Sequence, residues 1–357
     1  MKEVQISQDV MNWMLEDSNP SIRYYVLTEI LERKESDNEV IETRRSRPNS
    51  GWVKEIFQGQ MDNTYWETPQ SCYVPKWTAT VWRLIVLADL GVPGEDPRIK
   101  NSVEHFLRMH SVPEAGFSTF PYKPEFTTSQ TKPHICMTGN MVRTLQRFGY
   151  SNDSRVRSAI NWLLATQQSD GGWDCSKEGS RGHSSFSSTI EPLWALSEID
   201  QRTTEIDGAI QRAVEFFLRH KLYKSDRTNT PILLDWTKFH YPLHYNYDVL
   251  HGLMVISRVD LVGDDRLDDA LELLVSKVQE GGKWFLEGVP RGWHIPEPYH
   301  SLDRAWRPEE NEFVEQGWGD GRTFQLEEAG KPSKMITLNA WRVLKRMGML
   351  KLPKSSQ

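Results

Sequence analysis

The chain has 357 residues, a formal charge of -6 and a mean hydropathy of -0.59. It is long enough for a large core, and it lacks the basic stripe expected of a nucleic-acid binder. Fourteen Trp, thirteen Phe and eleven Tyr are a heavy aromatic load for so polar a chain, so aromatic rings must line an interior feature. Three cysteines, Cys72, Cys136 and Cys175, fit a reducing compartment better than a disulfide framework. With neither the layout of a signal peptide nor an apolar run of about eighteen residues, the sequence reads as cytoplasmic and without a transmembrane segment.

Residues 8–16 open the helical pattern, with Val10, Trp13 and Met14 on one face. Residues 20–33 and 37–60 then read as a pair of helices closed by Asp62-Asn-Thr-Tyr-Trp66. The same pairing recurs at 77–91 with 96–107, 136–149 with 153–164, 187–200 with 207–218, and 245–260 with 264–275. The second members of these four pairs start with Asp96, Asp153, Asp207 and Asp264, which are 57, 54 and 57 residues apart. Each Asp stands where an N-cap is expected, ahead of apolar residues at helical spacing. Gly-aromatic turns follow several pairs, at Gly116-Phe117, Gly171-Gly172-Trp173 within "QQSDGGWDC", and Gly281-Gly282 with Trp284. Residues 333–348 form a last first-type helix with no second helix after it.

Six first-type and five second-type helices, with a spare N-terminal helix of second type, predict a ring of six hairpins. The fold expected is all-α, an α6/α6 toroid in a single domain over residues 1–357, whose N-terminal helix completes the outer ring. An open solenoid is the alternative, and the complementary ends argue against it. Residues 283–331, with Trp284, Trp293, Trp306 and Trp318, break the pattern as an irregular insertion that would lid the mouth of the ring.

Aligned by their endings, the inner helices place Thr80, Thr138, Thr189, Val249 and Thr337 at one level, with Leu84, Val142, Leu193, Leu253 and Trp341 continuing that face towards the outer ring. A neighbouring stripe carries Thr78, Cys136, Ser187, Tyr247 and Met335, then Trp82, Asn140, Glu191, His251 and Asn339 one turn later. Polar residues repeated on buried helices point to a central cavity. The N-terminal ends of the inner helices share one mouth, where partial positive charge would favour an anion beside Lys76, His134, His183, His244 and Lys334.

The chain resembles the α/α-toroid superfamily of squalene and terpene cyclases and protein prenyltransferase β subunits, and more narrowly bacterial single-domain squalene-cyclase-like or prenyltransferase-like proteins. The likeness runs from Asn19-Pro-Ser-Ile-Arg-Tyr24 to Leu350 and rests on six stretches. These are Pro75-Lys-Trp-Thr-Ala-Thr-Val-Trp82, Cys136-Met-Thr-Gly-Asn-Met141, the Asp-Gly-Gly-Trp173 turn with Cys175, His183-Ser-Ser-Phe186, His220-Lys-Leu-Tyr-Lys-Ser225 and Tyr247-Asp248. The resemblance implies an enzyme, cyclase-, isomerase- or prenyl-transfer-like, acting on a small apolar or isoprenoid substrate in an aromatic-lined central cavity. Class II cyclases of the superfamily use the middle acid of Asp-x-Asp-Asp as proton donor; here Ser188-Thr-Ile-Glu191 stands in that place, so Ile190 replaces the donor and Glu191 matches only the last acid.

Glu191 and Asp248, with His251 one turn on, are the candidate acid-base groups, because a carboxyl facing an apolar cavity holds its proton. Trp66, Lys76, Trp82, Asn140, Trp173, Tyr245, Tyr247 and Asn339 are the candidate substrate-binding residues, the rings serving as cation-stabilising faces. The transferases hold zinc near this mouth with Asp, Cys and His. Their Asp-x-Cys pair is missing here and their histidine aligns with Tyr245, while Cys136, Cys175, His134 and His183 make a chemically sound zinc set without a tight chelate spacing. Each candidate also has a structural reading, as helix caps, core wedges or separate buried thiols. Two other functions fit the fold: a carbohydrate-active lyase or hydrolase, marked by exposed Trp and a Tyr or His close to an Arg, and a non-catalytic partner-binding toroid with a filled lumen.

Overall fold

The computed structural model describes residues 2–124, 131–175, 183–259, 261–289, 304–307, 312–315 and 325–354. Its inner helices are α2 (Pro20–Tyr25, continued by a wider turn over Val26–Ile30), α5 (Thr80–Asp89), α7 (Ile135–Arg147), α9 (Phe186–Ser197), α11 (Val249–Ile256) and α13 (Lys334–Arg346). Its outer helices are α1 (Gln8–Met14), α3 with α4 (Asn38–Ser46 and Gly51–Gln58), α6 (Pro97–His110), α8 (Ser154–Ala165), α10 (Thr204–Arg219) and α12 (Asp268–Ser276).

Each inner helix packs on the next in chain order, from α5 through α7, α9 and α11 to α13, and α13 packs back onto α2. The last joint is made by Tyr25, whose hydroxyl lies against Gly91 at the end of α5. The all-α toroid is thus closed. Its seam is a parallel strand pair, Val4–Gln5 with Leu350–Lys351, that sets α1 beside the last inner helix. Among the described residues, no helix is long and apolar enough to cross a membrane.

One hydrogen-bond motif repeats around the ring. In four of the six inner helices a threonine accepts a backbone N–H from the aromatic turn that precedes it: Thr80 from Trp66 at 3.1 Å, Thr138 from Phe117 at 2.9 Å, Thr189 from Trp173 at 3.0 Å and Thr337 from Trp284 at 3.0 Å. Where the aromatic is Trp, its indole N–H donates to a carbonyl near the end of the outer helix, at Ile56, Leu163 and Leu274. Gly172 is required by this arrangement, since a Cβ there would meet Thr189 Oγ1 at 2.5 Å. The turn glycines are therefore structural, and Trp66 and Trp173 are buried wedges. The hairpin of α11 has Val249 in place of the threonine, and Tyr247 bridges to the Leu222 carbonyl at 2.6 Å instead.

Outer helices start on a second repeated device. Asp96, Asp153 and Asp264 each accept the backbone N–H of an arginine two residues on and pair with its guanidinium. The fourth start differs from the sequence expectation: α10 is capped by Thr203, and Asp207 lies in its first turn, paired with Arg202. Thr203 wins because its hydroxyl reaches the Ile206 N–H one turn earlier. Of the 283–331 insertion, Trp284–Phe285 pairs with Pro332–Ser333 and Arg304–Arg307 with Glu312–Glu315. Trp293 and Trp318, on which the expected lid depends, lie outside the described residues.

Thr189→Val keeps the volume at the clamp and leaves the buried Trp173 N–H without its acceptor. Urea unfolding should show a loss of about 1–3 kcal/mol relative to Thr189→Ser, which retains the oxygen; equal stabilities for the two variants would refute the clamp.

Candidate functional site

The stripe of Trp82, Asn140, Glu191, His251 and Asn339 continues. Seven residues further on, two turns along the same faces, stand Asp89, Arg147, Glu198, Arg258 and Arg346. These five line a cavity of about 540 Å³ at the C-terminal ends of the inner helices, together with Glu29, Arg47, Asn339 and Arg342. Tyr24, Tyr25, Trp194, Tyr241, Leu243, Met254 and Met335 supply its apolar wall. The cavity thus mixes aromatic and aliphatic side chains with guanidinium groups, several of which stand over its rings: Arg47 over Tyr24 at 4.3 Å, Arg342 over Tyr25 at 4.5 Å and Arg147 over Trp194 at 5.3 Å.

Some of the arginines are held by carboxylates. Arg147 forks onto Glu198 at 2.8 and 2.6 Å and also reaches Asp89 at 2.5 Å, an oxygen it shares with Arg143. Arg342 forks onto Glu29 at 2.6 and 2.9 Å. Burial by itself would raise the Glu198 carboxyl, but Arg147 and Arg258 hold it down at about 2. Burial and two arginine neighbours, Arg258 and Arg342, lower Arg346 to about 10, so positive charge is crowded on that side.

Below this chamber, Glu191 lies on the same face of α9 as Trp194 and Glu198, at positions i, i+3 and i+7. Its side chain is 1% exposed and Oε2 has no hydrogen-bond partner. Burial raises its pKa to about 8 against the opposing charge of Arg143, so the carboxyl carries its proton at neutral pH. Gly139 brings α7 against the backbone of Glu191 and Pro192, where a Cβ would come within 2.6 Å, and this sets Asn140 and Arg143 beside the acid. His251, one helix on, packs edge-on against Trp194 with ring centroids 5.0 Å apart; burial lowers it to about 4, and its Nε2 is unpartnered. Glu191 and His251 are not among the residues that line the cavity; they lie one turn below Trp194 and Met254, which do, as a protonated carboxyl and a neutral imidazole each with an unused polar atom.

The other expected residues sit elsewhere. Asp248 caps α11 through the His251 N–H and accepts from the His240 backbone and ring, so its oxygens are engaged. Tyr247 bonds to Leu222, and Trp66 and Trp173 are wedges of the clamp. At the N-terminal end of the ring, Trp82, Tyr245, Trp77, Tyr73 and His244 pack into a buried aromatic plug, with Lys76 Nζ 4.8 Å from the centre of the Trp77 ring. The described cavity therefore opens at the end opposite to the one expected to take an anion. At the expected mouth, α9, α11 and α13 are capped by Ser185, Asp248 and Ser333, and Glu327 accepts the Lys334 N–H of α13 at 2.6 Å, whereas α5 and α7 start without a side-chain cap.

Cys136 and Cys175 are in contact, Sγ to Sγ 2.7 Å, with Ser188 beside them. His134 is half-buried and its backbone N–H bonds to the Phe117 carbonyl, while His183 turns to the Ser184 carbonyl. Among the described residues, no three His, Cys, Asp or Glu side chains converge as metal ligands. The two thiols spend their close contacts on each other and on Ser188.

No protein-family model matches the chain, and no curated protein matches it in sequence. Similar solved structures include the type II terpene cyclase MstE from Scytonema in its apo form, 17% identical over 94% of this chain and 89% of that one, with a TM-score of 0.44. A variant of that enzyme in complex with geranylgeranyl dihydroxybenzoate is 18% identical over 94% and 88%, with a TM-score of 0.43. An ent-copalyl diphosphate synthase from Streptomyces platensis is 14% identical over 93% of this chain and 50% of that one, at a TM-score of 0.44. At these identities no residue role transfers.

The protonation state of Glu191 has a thermodynamic signature. Its folded pKa lies above the unfolded value near 4.5, so the folded state binds the extra proton between the two, and stability is lost as pH rises from about 4.5 through about 8. Glu191→Gln should remove that loss. The variant is expected to gain on the wild type progressively from pH 5 to pH 9 in denaturant unfolding; a difference independent of pH would show that Glu191 is ionised throughout.

Proposed function

We propose that the protein is an enzyme acting on an isoprenoid or similarly apolar substrate, in which Glu191 is the proton donor. The observation that carries this reading is a buried carboxyl that keeps its proton at neutral pH and whose Oε2 has no hydrogen-bond partner. In the proposed step the Glu191 O–H bond breaks and its proton adds to a carbon of a C=C bond, leaving a carbocation on the neighbouring carbon. The ring face of Tyr241 in the cavity wall would stabilise that cation, while the Trp194 ring already carries the Arg143 guanidinium 3.8 Å from its centroid. Loss of a proton from an adjacent carbon back to the Glu191 carboxylate restores the acid, so the overall change is an isomerisation or cyclisation without a co-reactant. The resemblance of the repeat and turn motifs to squalene and terpene cyclases supports the substrate class. Glu191 would then do the work that the middle acid of Asp-x-Asp-Asp does in those enzymes, from the next position along the helix.

A second reading, a carbohydrate-active lyase or hydrolase, is favoured by two contacts on the cavity wall: the Arg342 guanidinium stands 4.5 Å over the ring of Tyr25 and the Arg47 guanidinium 4.3 Å over that of Tyr24. The exposed tryptophan platforms expected of such an enzyme are not found among the described side chains.

Incubation with a panel of prenyl alcohols and prenyl diphosphates, with products read by gas chromatography and mass spectrometry, tests the first reading. Glu191→Gln should lower kcat by about 100-fold or more. Turnover should also fall as pH rises through about 8, because the donor form of Glu191 is lost there. Full activity in Glu191→Gln, or a rate that climbs across that range, would remove Glu191 from the mechanism; release of unsaturated sugars from a uronate polymer would favour the second reading.

A further inference from the structure

The cavity holds more cationic charge than its own acids compensate. Of the six arginines in its wall, Arg147 and Arg342 are forked onto carboxylates and Arg44 pairs with Glu35, but three others have no carboxylate within hydrogen-bond distance among the described residues. Arg47 comes from the break between α3 and α4, is 5% exposed and stands 4.3 Å over the Tyr24 ring, yet its Nε and Nη1 have no hydrogen-bond partner. Its Nη1 lies against Gly91, where a Cβ would approach it to 2.8 Å. Arg258 has its nearest carboxylate oxygen, on Glu198, at 3.6 Å, beyond hydrogen-bond reach and already committed to Arg147. Arg346 reaches only neutral oxygens, the Met254 carbonyl at 3.1 Å and Ser257 Oγ at 3.4 Å.

A buried guanidinium with unmade hydrogen bonds is costly, and a folded chain rarely tolerates one without a use. The negative ends of the inner helices offset part of the charge, since Arg346 lies in the last turn of α13. They do not satisfy Arg47, whose free N–H groups reach no carbonyl. Three guanidinium groups from three elements present more donors than a single carboxylate accepts. An anion with several oxygens and at least two charges matches them.

We propose that the cavity is a binding site for a phosphate-type oxyanion, held by Arg47, Arg258 and Arg346. The proposal rests on the reading of this cavity as the substrate site only in its location, and it specifies that the substrate carries a phosphate or diphosphate head at the open end while its apolar part lies towards Trp194 and Tyr241. The same chemistry would also take up free phosphate or pyrophosphate as an effector.

Titration calorimetry of the full chain with inorganic pyrophosphate tests this. The expected result is saturable binding that weakens with salt, with Arg258→Gln and Arg346→Gln each weaker by about tenfold or more. Both side chains are partly exposed, and circular dichroism of the two variants checks that they fold. Absence of pyrophosphate binding, or equal affinity in wild type and both folded variants, would overturn the site. A prenyl diphosphate binding more tightly than pyrophosphate assigns the site to a substrate head, and equal affinities assign it to a free anion. Glu191→Gln should bind pyrophosphate as the wild type does, so the acid can be disproved while the anion site stands, and the reverse.

Discussion

The ring depends on a hydrogen bond between a threonine near the start of an inner helix and the backbone of an aromatic turn. It solves a specific problem: an outer helix must end, reverse and enter the next layer without leaving buried N–H groups unmade. The indole nitrogen takes up a carbonyl near the end of the outer helix, the threonine takes up the turn, and the aromatic ring fills the wedge between the hairpins. Because the same device fixes four of the joints, the inner helices share one register. That register is what aligns polar residues from different helices around a common axis.

The alignment gives the two ends of the barrel opposite characters. At the N-terminal end, caps such as Ser185, Asp248 and Ser333 satisfy the helices, and an aromatic plug excludes solvent. Between the ends, Glu191 and His251 are neutral because burial makes charge expensive there. At the C-terminal end the diameter is left open and arginines gather at carbonyl-rich helix ends, where cations are favoured.

Hairpin number, closure of the ring and the polar stripe were all legible in the sequence, since each depends on periodicity that the residues display directly. Glu191 and His251 emerged from that stripe. Arg147, Arg258 and Arg346 did not, although they lie on it seven residues further on, because arginines near a helix end look like solvated termini until the axis they face is known. The cavity at the C-terminal ends of the inner helices was not expected for a related reason. A helix dipole argues for an anion only where the terminal N–H groups are free, and Glu327, far from any recognisable motif, is drawn onto α13 by the folding of the insertion. Asp207 was mistaken for a cap because two residues with capping side chains compete at that start, and only the backbone geometry decides between them.

The seam of the ring has a mechanical consequence. The first and last strands run parallel, with the Val4 N–H bonded to the Met349 carbonyl and the Ile6 N–H to the Lys351 carbonyl. A force applied to the two ends of the chain pulls these strands in opposite directions along their length. The bonds are then loaded together in shear rather than opened one after another, so tension on the ends meets its greatest resistance where the circle is joined.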